Sequence, residues 1–157
     1  MRYLKITSPD INNGLGFRVT LWVAGCSHHC KFCHNPETWD YNQGATSLKD
    51  ELFEKLNKPY IKGLTLSGGD PLAQSDKCLN ELYQLLVEYK KTFPGKDIWI
   101  YSGYTYEEAV KHPLRAKILS LCDVMVDGPY IHAKRDLSLP FRGSSNQRII
   151  YLQNNLS

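Results

Sequence analysis

The chain has 157 residues, 42% of them hydrophobic and 22% charged, a composition that can bury a core and suits one domain over 1–157. Its net charge of +3 comes from scattered Lys and Arg, and without a basic run interleaved with aromatics no nucleic-acid partner is expected. No stretch approaches the ~18 apolar residues of a membrane helix, and residues 1–7 lack the apolar run of a secretory signal, so a cytoplasmic protein with no membrane partner is expected.

The first clear element is a strand over residues 17–23, β-branched and aromatic between Gly16 and Gly25. Cys26, Cys30 and Cys33 follow it at once, three thiols on one short loop at spacings of four and three. Such a loop begins at a strand's carboxyl end, where ligands and catalytic groups gather in α/β sheets and barrels. A [4Fe–4S] cluster normally takes four thiolates, so three leave one iron open for a small molecule. The remaining cysteines, Cys78 and Cys122, lie in apolar patterns and read as small buried hydrophobes. Structural zinc is the alternative, because His28, His29 or His34 would complete a Cys3His set. Structural zinc sites usually draw on two ligand pairs separated by a dozen or more residues, and no second pair occurs. A disulfide framework fits less well, since the cysteine count of five is odd and small for this length.

Ser47 with Asp50 offers a helix start, and Leu48, Leu52, Phe53 and Leu56 follow at helical period until residues 57–59 stop it. Residues 63–67 read as a strand running into Gly68-Gly69-Asp70-Pro71. Paired glycines at a strand end let backbone approach a ligand closely, although they are also ordinary turn punctuation. Leu79, Leu82, Leu85, Leu86 and Tyr89 line one face of a second helix, closed by Pro94-Gly95. Residues 97–101 form the next strand, and Ser102 follows at its carboxyl end, where its hydroxyl suits either a cofactor contact or a backbone cap.

Thr105 and Glu108 make a capping box for a third helix that Pro113 interrupts, with a second piece running to about Leu121. Residues 122–126 read as another strand, ending at Asp127-Gly128-Pro129, where the carboxylate suits a cationic group and the tripeptide suits a plain turn equally well. The polar stretch 142–148 reads as a surface loop, and a last strand covers 147–151. Ten tyrosines and three tryptophans serve either a core or a protein-binding surface.

Cys-x3-Cys-x2-Cys after a first strand, with Phe32 before the last Cys, resembles the radical S-adenosylmethionine superfamily. The wider string over residues 22–39 is similar to one branch, the activases of anaerobic, class III ribonucleotide reductase; Asp70 in place of the commoner Glu of the Gly-Gly-Glu motif agrees with that branch. The resemblance implies that Cys26, Cys30 and Cys33 hold a [4Fe–4S] cluster whose open iron is chelated by S-adenosylmethionine. It further implies cofactor contacts from Phe32, Cys33, His34, Ser67, Gly68, Gly69, Asp70, Ser102 and Asp127, and, from the likeness of residues 142–148, a carboxylate or partner contact by Arg142 or Arg148, with no side chain acting as acid or base. The implied chemistry is reductive cleavage of the sulfonium by an electron from a low-potential donor such as flavodoxin, and creation of a glycyl radical on the large reductase subunit. The rival within the superfamily is an activase for another glycyl radical enzyme such as formate lyase, and the rival outside it is a non-catalytic zinc-binding module.

Eight strand–helix units need about 250 residues to close a barrel. This chain supplies about five, so the expected fold is α/β, a partial, open (β/α) barrel of the radical S-adenosylmethionine type, open on one side to a macromolecular substrate.

Overall fold

The structure, a computed structural model, describes residues 2–25 and 48–152. Strands β1 (Tyr3–Asp10), β2 (Arg18–Val23), β3 (Gly63–Gly68), β4 (Asp97–Tyr101), β5 (Val124–Asp127) and β6 (Arg148–Tyr151) form one sheet in the order β1-β2-β3-β4-β5-β6. The pairs from β2 to β5 are parallel, whereas β1 on β2 and β6 on β5 are antiparallel. The described helices are α1 (Lys49–Leu56), α2 (Asp76–Thr92), α3 (Tyr106–Ala109) and α4 (Pro113–Leu119). The sheet is open, and four parallel strands with antiparallel edges stand where about five strand–helix units were expected.

Spatial order follows chain order, so every crossover moves the same way along the sheet and like-handed crossovers leave their helices on one face. The core agrees: Val19, Leu21, Val23, Leu64, Leu66, Ile98, Ile100 and Met125 alternate along the strands and form one cluster with residues of all four helices. From α2 the cluster takes Leu79, Leu82, Leu86 and Tyr89, the stripe set by its helical period, while Leu85 packs partly buried at its edge.

The opposite face is polar and aromatic. Arg18 is fully buried there, donating from Nε to Thr65 Oγ1 at 2.8 Å and from Nη2 to Leu64 O at 2.9 Å. Its Nη1 lies 2.8 Å from Asp97 Oδ1, and the guanidinium stacks 5.5 Å from the Trp99 ring centroid. A desolvated cation persists only when paired and hydrogen-bonded, and this one is both. Phe141 folds over Trp99 edge-on at 5.4 Å and joins Val124 and Val126 in a smaller cluster.

Several local expectations change. β1 covers a segment with no clear pattern, since its residues are only intermittently buried and it carries Pro9 on an edge, where a missing N–H is tolerated. Residue Ser47 lies outside the described residues; α1 has Leu48 at its N-cap with no side-chain cap. The interruption at Pro113 is as expected: α3 ends at Ala109 and the second piece, α4, opens with Pro113 in its first turn, where a missing N–H costs nothing. Cys122 precedes β5, its N–H donating to Leu119 O at 3.1 Å. It is buried as expected, and desolvation pushes its thiol far up. Cys78 is a correction: it lies in the first turn of α2 and is half-exposed. Among the described residues no helix is long and apolar enough to cross a membrane.

Candidate cofactor site

The four parallel strands end on the same side, and their carboxyl ends lie next to one another in the order β2, β3, β4, β5. That placement brings together Ala24-Gly25, the 68–70 loop, Ser102-Gly103 and Asp127-Gly128. Ser67, Asp70, Ser102 and Asp127 are four of the nine buried polar residues described, so the candidates chosen from sequence coincide with desolvated polar groups.

The ends are joined in series. Gly69 N donates to Val23 O at 2.9 Å and Asp70 N to Gly25 O at 2.7 Å, tying the double-glycine loop to the residues that lead into Cys26. Gly68 is required by this contact. It has φ +114, and a Cβ there would sit 2.4 Å from Val23 O, a backbone atom that cannot swing away.

Asp70 makes the next join. Its Oδ1 accepts from Leu72 N at 2.8 Å, turning the loop toward α2, and its Oδ2 accepts from Ser102 Oγ at 3.0 Å and Gly103 N at 2.8 Å. A carboxylate 1% exposed and holding three donors is an anchor between strand ends. Ser102 is correspondingly committed: its hydroxyl donates to Asp70, its Oγ accepts from Tyr104 N at 3.1 Å, and one lone pair remains.

Between β4 and β5, Ser102 N donates to Val126 O at 3.1 Å and Gly128 N to Tyr104 O at 3.0 Å. Asp127 completes the rim. Its Oδ2 accepts from Tyr106 N at 2.8 Å and Arg148 Nη2 at 2.5 Å, and its Oδ1 accepts from Arg148 N and Nε. Each oxygen of this carboxylate has two donors from the chain itself, supplied by Tyr106 and Arg148. Arg148 is likewise a carboxylate binder, but its carboxylates belong to Asp127 and to Glu107, whose oxygens lie 2.6 and 3.0 Å away. The Arg148 hydrogen bonds hold Glu107 below the usual carboxylate range. Arg142 is half-buried, and its Nε has no hydrogen-bond partner among the described residues.

Two positioning side chains escaped the sequence reading. Gln74 Nε2 lies 2.9 Å from Asp70 O, 3.2 Å from Ala24 O and 3.3 Å from Gly25 O. Arg115 of α4 donates from Nε to Leu72 O at 2.8 Å and from Nη2 to Tyr104 Oη at 3.0 Å, bracing the β3 and β4 loops from the helix side. Neither belongs to a motif; the only signal is a long polar side chain close in sequence to a turn or a helix terminus.

Cys26, Cys30, Cys33, Phe32 and His34 lie outside the described residues. Among the described residues no cluster of His, Cys, Asp and Glu is able to hold a metal ion. A cavity of about 610 Å³ opens on the helix face between α1, α2 and the sheet, lined by Tyr3, Leu21, Leu52 and Leu85 among others. Its lining includes no residue of the strand-end rim.

The comparisons decide the family. A family model described as a 4Fe-4S single cluster domain matches residues 12–150. The chain is 37% identical to the anaerobic ribonucleoside-triphosphate reductase-activating protein of Escherichia coli K12, over 98% of this chain and 100% of that protein. Proteins of the same name from Pasteurella multocida and bacteriophage T4 are each 39% identical, over 96% and 95% of this chain and 97% and 93% of their own length.

The chain belongs to the family of anaerobic ribonucleoside-triphosphate reductase-activating proteins.

Membership gives the strand-end rim its context. An iron–sulfur domain family matched across residues 12–150 takes in the cysteine loop and every strand end of the rim. The resemblance read from the cysteine spacing and from Asp70 leads to the same family as the comparisons.

Proposed function

We infer that this chain is a radical S-adenosylmethionine activase acting on the anaerobic ribonucleotide reductase, built as one domain over 1–157 on an open, partial-barrel sheet. The observation that carries the reading is the near full-length match to activating proteins, together with a double-glycine loop hydrogen-bonded directly to the residues preceding Cys26. Three soft thiolates within eight residues of sequence fit an iron–sulfur cluster by donor chemistry. Glycine at 69 leaves the loop without a side chain and fits an approach by a ligand's amino acid group, whereas the space beside Gly68 is taken by Val23.

In this reading Cys26, Cys30 and Cys33 hold the cluster and leave one iron open, while Phe32 and His34 flank the last ligand. When bound, the cluster supplies the electron that cleaves the sulfonium into methionine and a 5′-deoxyadenosyl radical, which takes a hydrogen from one glycine of the reductase. The chain's own residues bind and orient. Ser67, Gly68 and Gly69 offer the cofactor's amino acid portion a polar, side-chain-poor ledge. Asp70 holds that ledge against β4, which fixes Ser102 so that its remaining lone pair is the one available to the cofactor. Asp127 contributes by keeping β5 and β6 in register at the rim through Arg148. No proton transfer is required of any of them; the protein orients the cofactor and excludes water and oxygen. Arg142 is the candidate for contact with the reductase or another carboxylate, a low-potential donor such as flavodoxin supplies the electron, and the cytosol, where thiols stay reduced, is the compartment.

The test is anaerobic reconstitution with iron and sulfide, followed by dithionite and S-adenosylmethionine. The expected result is 5′-deoxyadenosine, and a glycyl radical when the reductase is present. Cys30→Ala abolishes both and Cys78→Ala leaves them intact; equal loss from the two substitutions refutes the ligand assignment. A colourless protein with stoichiometric zinc supports the binding-module alternative, and radical formation on formate lyase but not on the reductase supports the other activase.

A further inference from the structure

One amide in the strand-end rim faces three carbonyl oxygens. Gln74 leaves the turn ahead of α2, and its Nε2 lies 2.9 Å from Asp70 O, 3.2 Å from Ala24 O and 3.3 Å from Gly25 O. All three neighbours are acceptors, so the NH2 group faces them; the flipped amide would set oxygen against oxygen three times. Two N–H bonds serve three carbonyls by sharing. Gly25 O also accepts from Asp70 N at 2.7 Å, and Gly25 itself turns the chain at φ +102. Ala24 and Gly25 are the last described residues before Cys26, and neighbouring Cα atoms across a trans peptide are about 3.8 Å apart, so a displacement of Gly25 passes directly to the residue after it.

We propose that Gln74 is a positioning residue for the cysteine loop: by holding the carbonyls of Ala24 and Gly25 on Asp70, it sets the register between the chain entering Cys26 and the double-glycine ledge. The inference rests on the radical S-adenosylmethionine reading and deepens it. Without Gln74, the backbone bonds from Gly69 N to Val23 O and from Asp70 N to Gly25 O remain among the described residues, and Ala24 O loses this partner. The cofactor in this reading touches the open iron at one end and the ledge at the other, so its binding depends on that register, while holding iron depends on the thiolates alone.

The test uses the full chain, purified anaerobically, with Gln74→Leu as the main variant and Gln74→Glu as an isosteric second that keeps length and polarity but removes the donors. Three quantities are read: amide hydrogen exchange of Gly69 and Asp70 in the apoprotein, iron and sulfide content after reconstitution, and the paramagnetic resonance spectrum of the reduced cluster during titration with S-adenosylmethionine. Both variants are expected to load iron as the parent does. Asp70 exchange is expected to rise about tenfold, and the cofactor concentration that converts the spectrum to rise about tenfold, as loss of a shared hydrogen bond of ordinary strength implies. Iron-loaded variants with the parent's exchange rates, spectrum and titration midpoint overturn the proposal. So does a loss of iron that tracks a loss of folded protein while the loaded fraction titrates normally, since that is a purely structural role. A parent chain that takes up no iron overturns the cluster reading itself, whereas a normal titration by Gln74→Leu overturns this proposal alone.

Discussion

Replacing Asp70 with Ala should detach the β3 end from the β4 end. The carboxylate is 1% exposed and accepts from Leu72 N at 2.8 Å, Gly103 N at 2.8 Å and Ser102 Oγ at 3.0 Å. Alanine leaves two backbone N–H groups without this acceptor, each costing about 1–3 kcal/mol when buried, while the Ser102 hydroxyl can rotate to another acceptor. The sum is about 2–6 kcal/mol, and at about 2–4 °C per kcal/mol for a chain of this size the melting midpoint falls on the order of 10 °C. Asp70→Asn keeps the Leu72 bond but turns a second N–H toward Gly103, so it should lie between the parent and Asp70→Ala. The assay is thermal unfolding of the apoprotein by circular dichroism under reducing conditions, with denaturant unfolding as a cross-check. An Asp70→Ala midpoint within about 2 °C of the parent would mean the carboxylate carries less than about 1 kcal/mol, and the account of it as the anchor between strand ends would be refuted.

Gly68→Ala meets Val23 O at 2.4 Å in a φ +114 conformation, so a loss of about 2–5 kcal/mol is expected in the same unfolding assay, with weaker S-adenosylmethionine binding in the fraction that folds. Alkylation of the folded chain with iodoacetamide near pH 8, mapped by mass spectrometry, should label Cys78 and spare Cys122, because burial pushes the Cys122 thiol up; equal labelling contradicts its placement. Glu107 is held below its ordinary value by Arg148, so its contribution to stability is present above the unfolded value of about 4.3 and disappears as pH falls through the lower folded value. The stability difference between the parent and Glu107→Gln should therefore be visible near neutral pH and vanish on strong acidification, and a difference that persists at all pH values rejects the ion pair as its source.

The parts of the fold legible in the sequence were those where periodicity and end signals agreed. Residues 97–101 are β4 as read, the 79–89 stripe is the buried face of α2, and Thr105 with Glu108 forms the full capping box. β1 was missed because its burial is irregular and its pairing with β2 shifts register, so no clean alternation survives in the sequence. The site divides in the same way. Gly68 and Ser102 stand out from strand ends and turn chemistry and Asp70 from its place in the Gly-Gly-Glu motif, but the hydrogen bond from Ser102 to Asp70 joins residues 32 apart and depends on β3 and β4 being neighbours. Asp127 was equally compatible with a cofactor or a turn until the position of Arg148 across β5 and β6 settled its partners. Gln74 and Arg115 had no motif to mark them; their function is created by the carbonyls that the fold collects around them.

The central claim, a three-cysteine cluster with one iron open to S-adenosylmethionine beside the double-glycine ledge, is tested most directly by resonance spectroscopy of the reduced, reconstituted chain with cofactor isotopically labelled at its amino nitrogen and carboxylate oxygen. Hyperfine coupling from both labelled atoms to the cluster is the predicted result. A cluster whose spectrum carries no coupling from either label, or a chain that binds zinc and no iron, contradicts it.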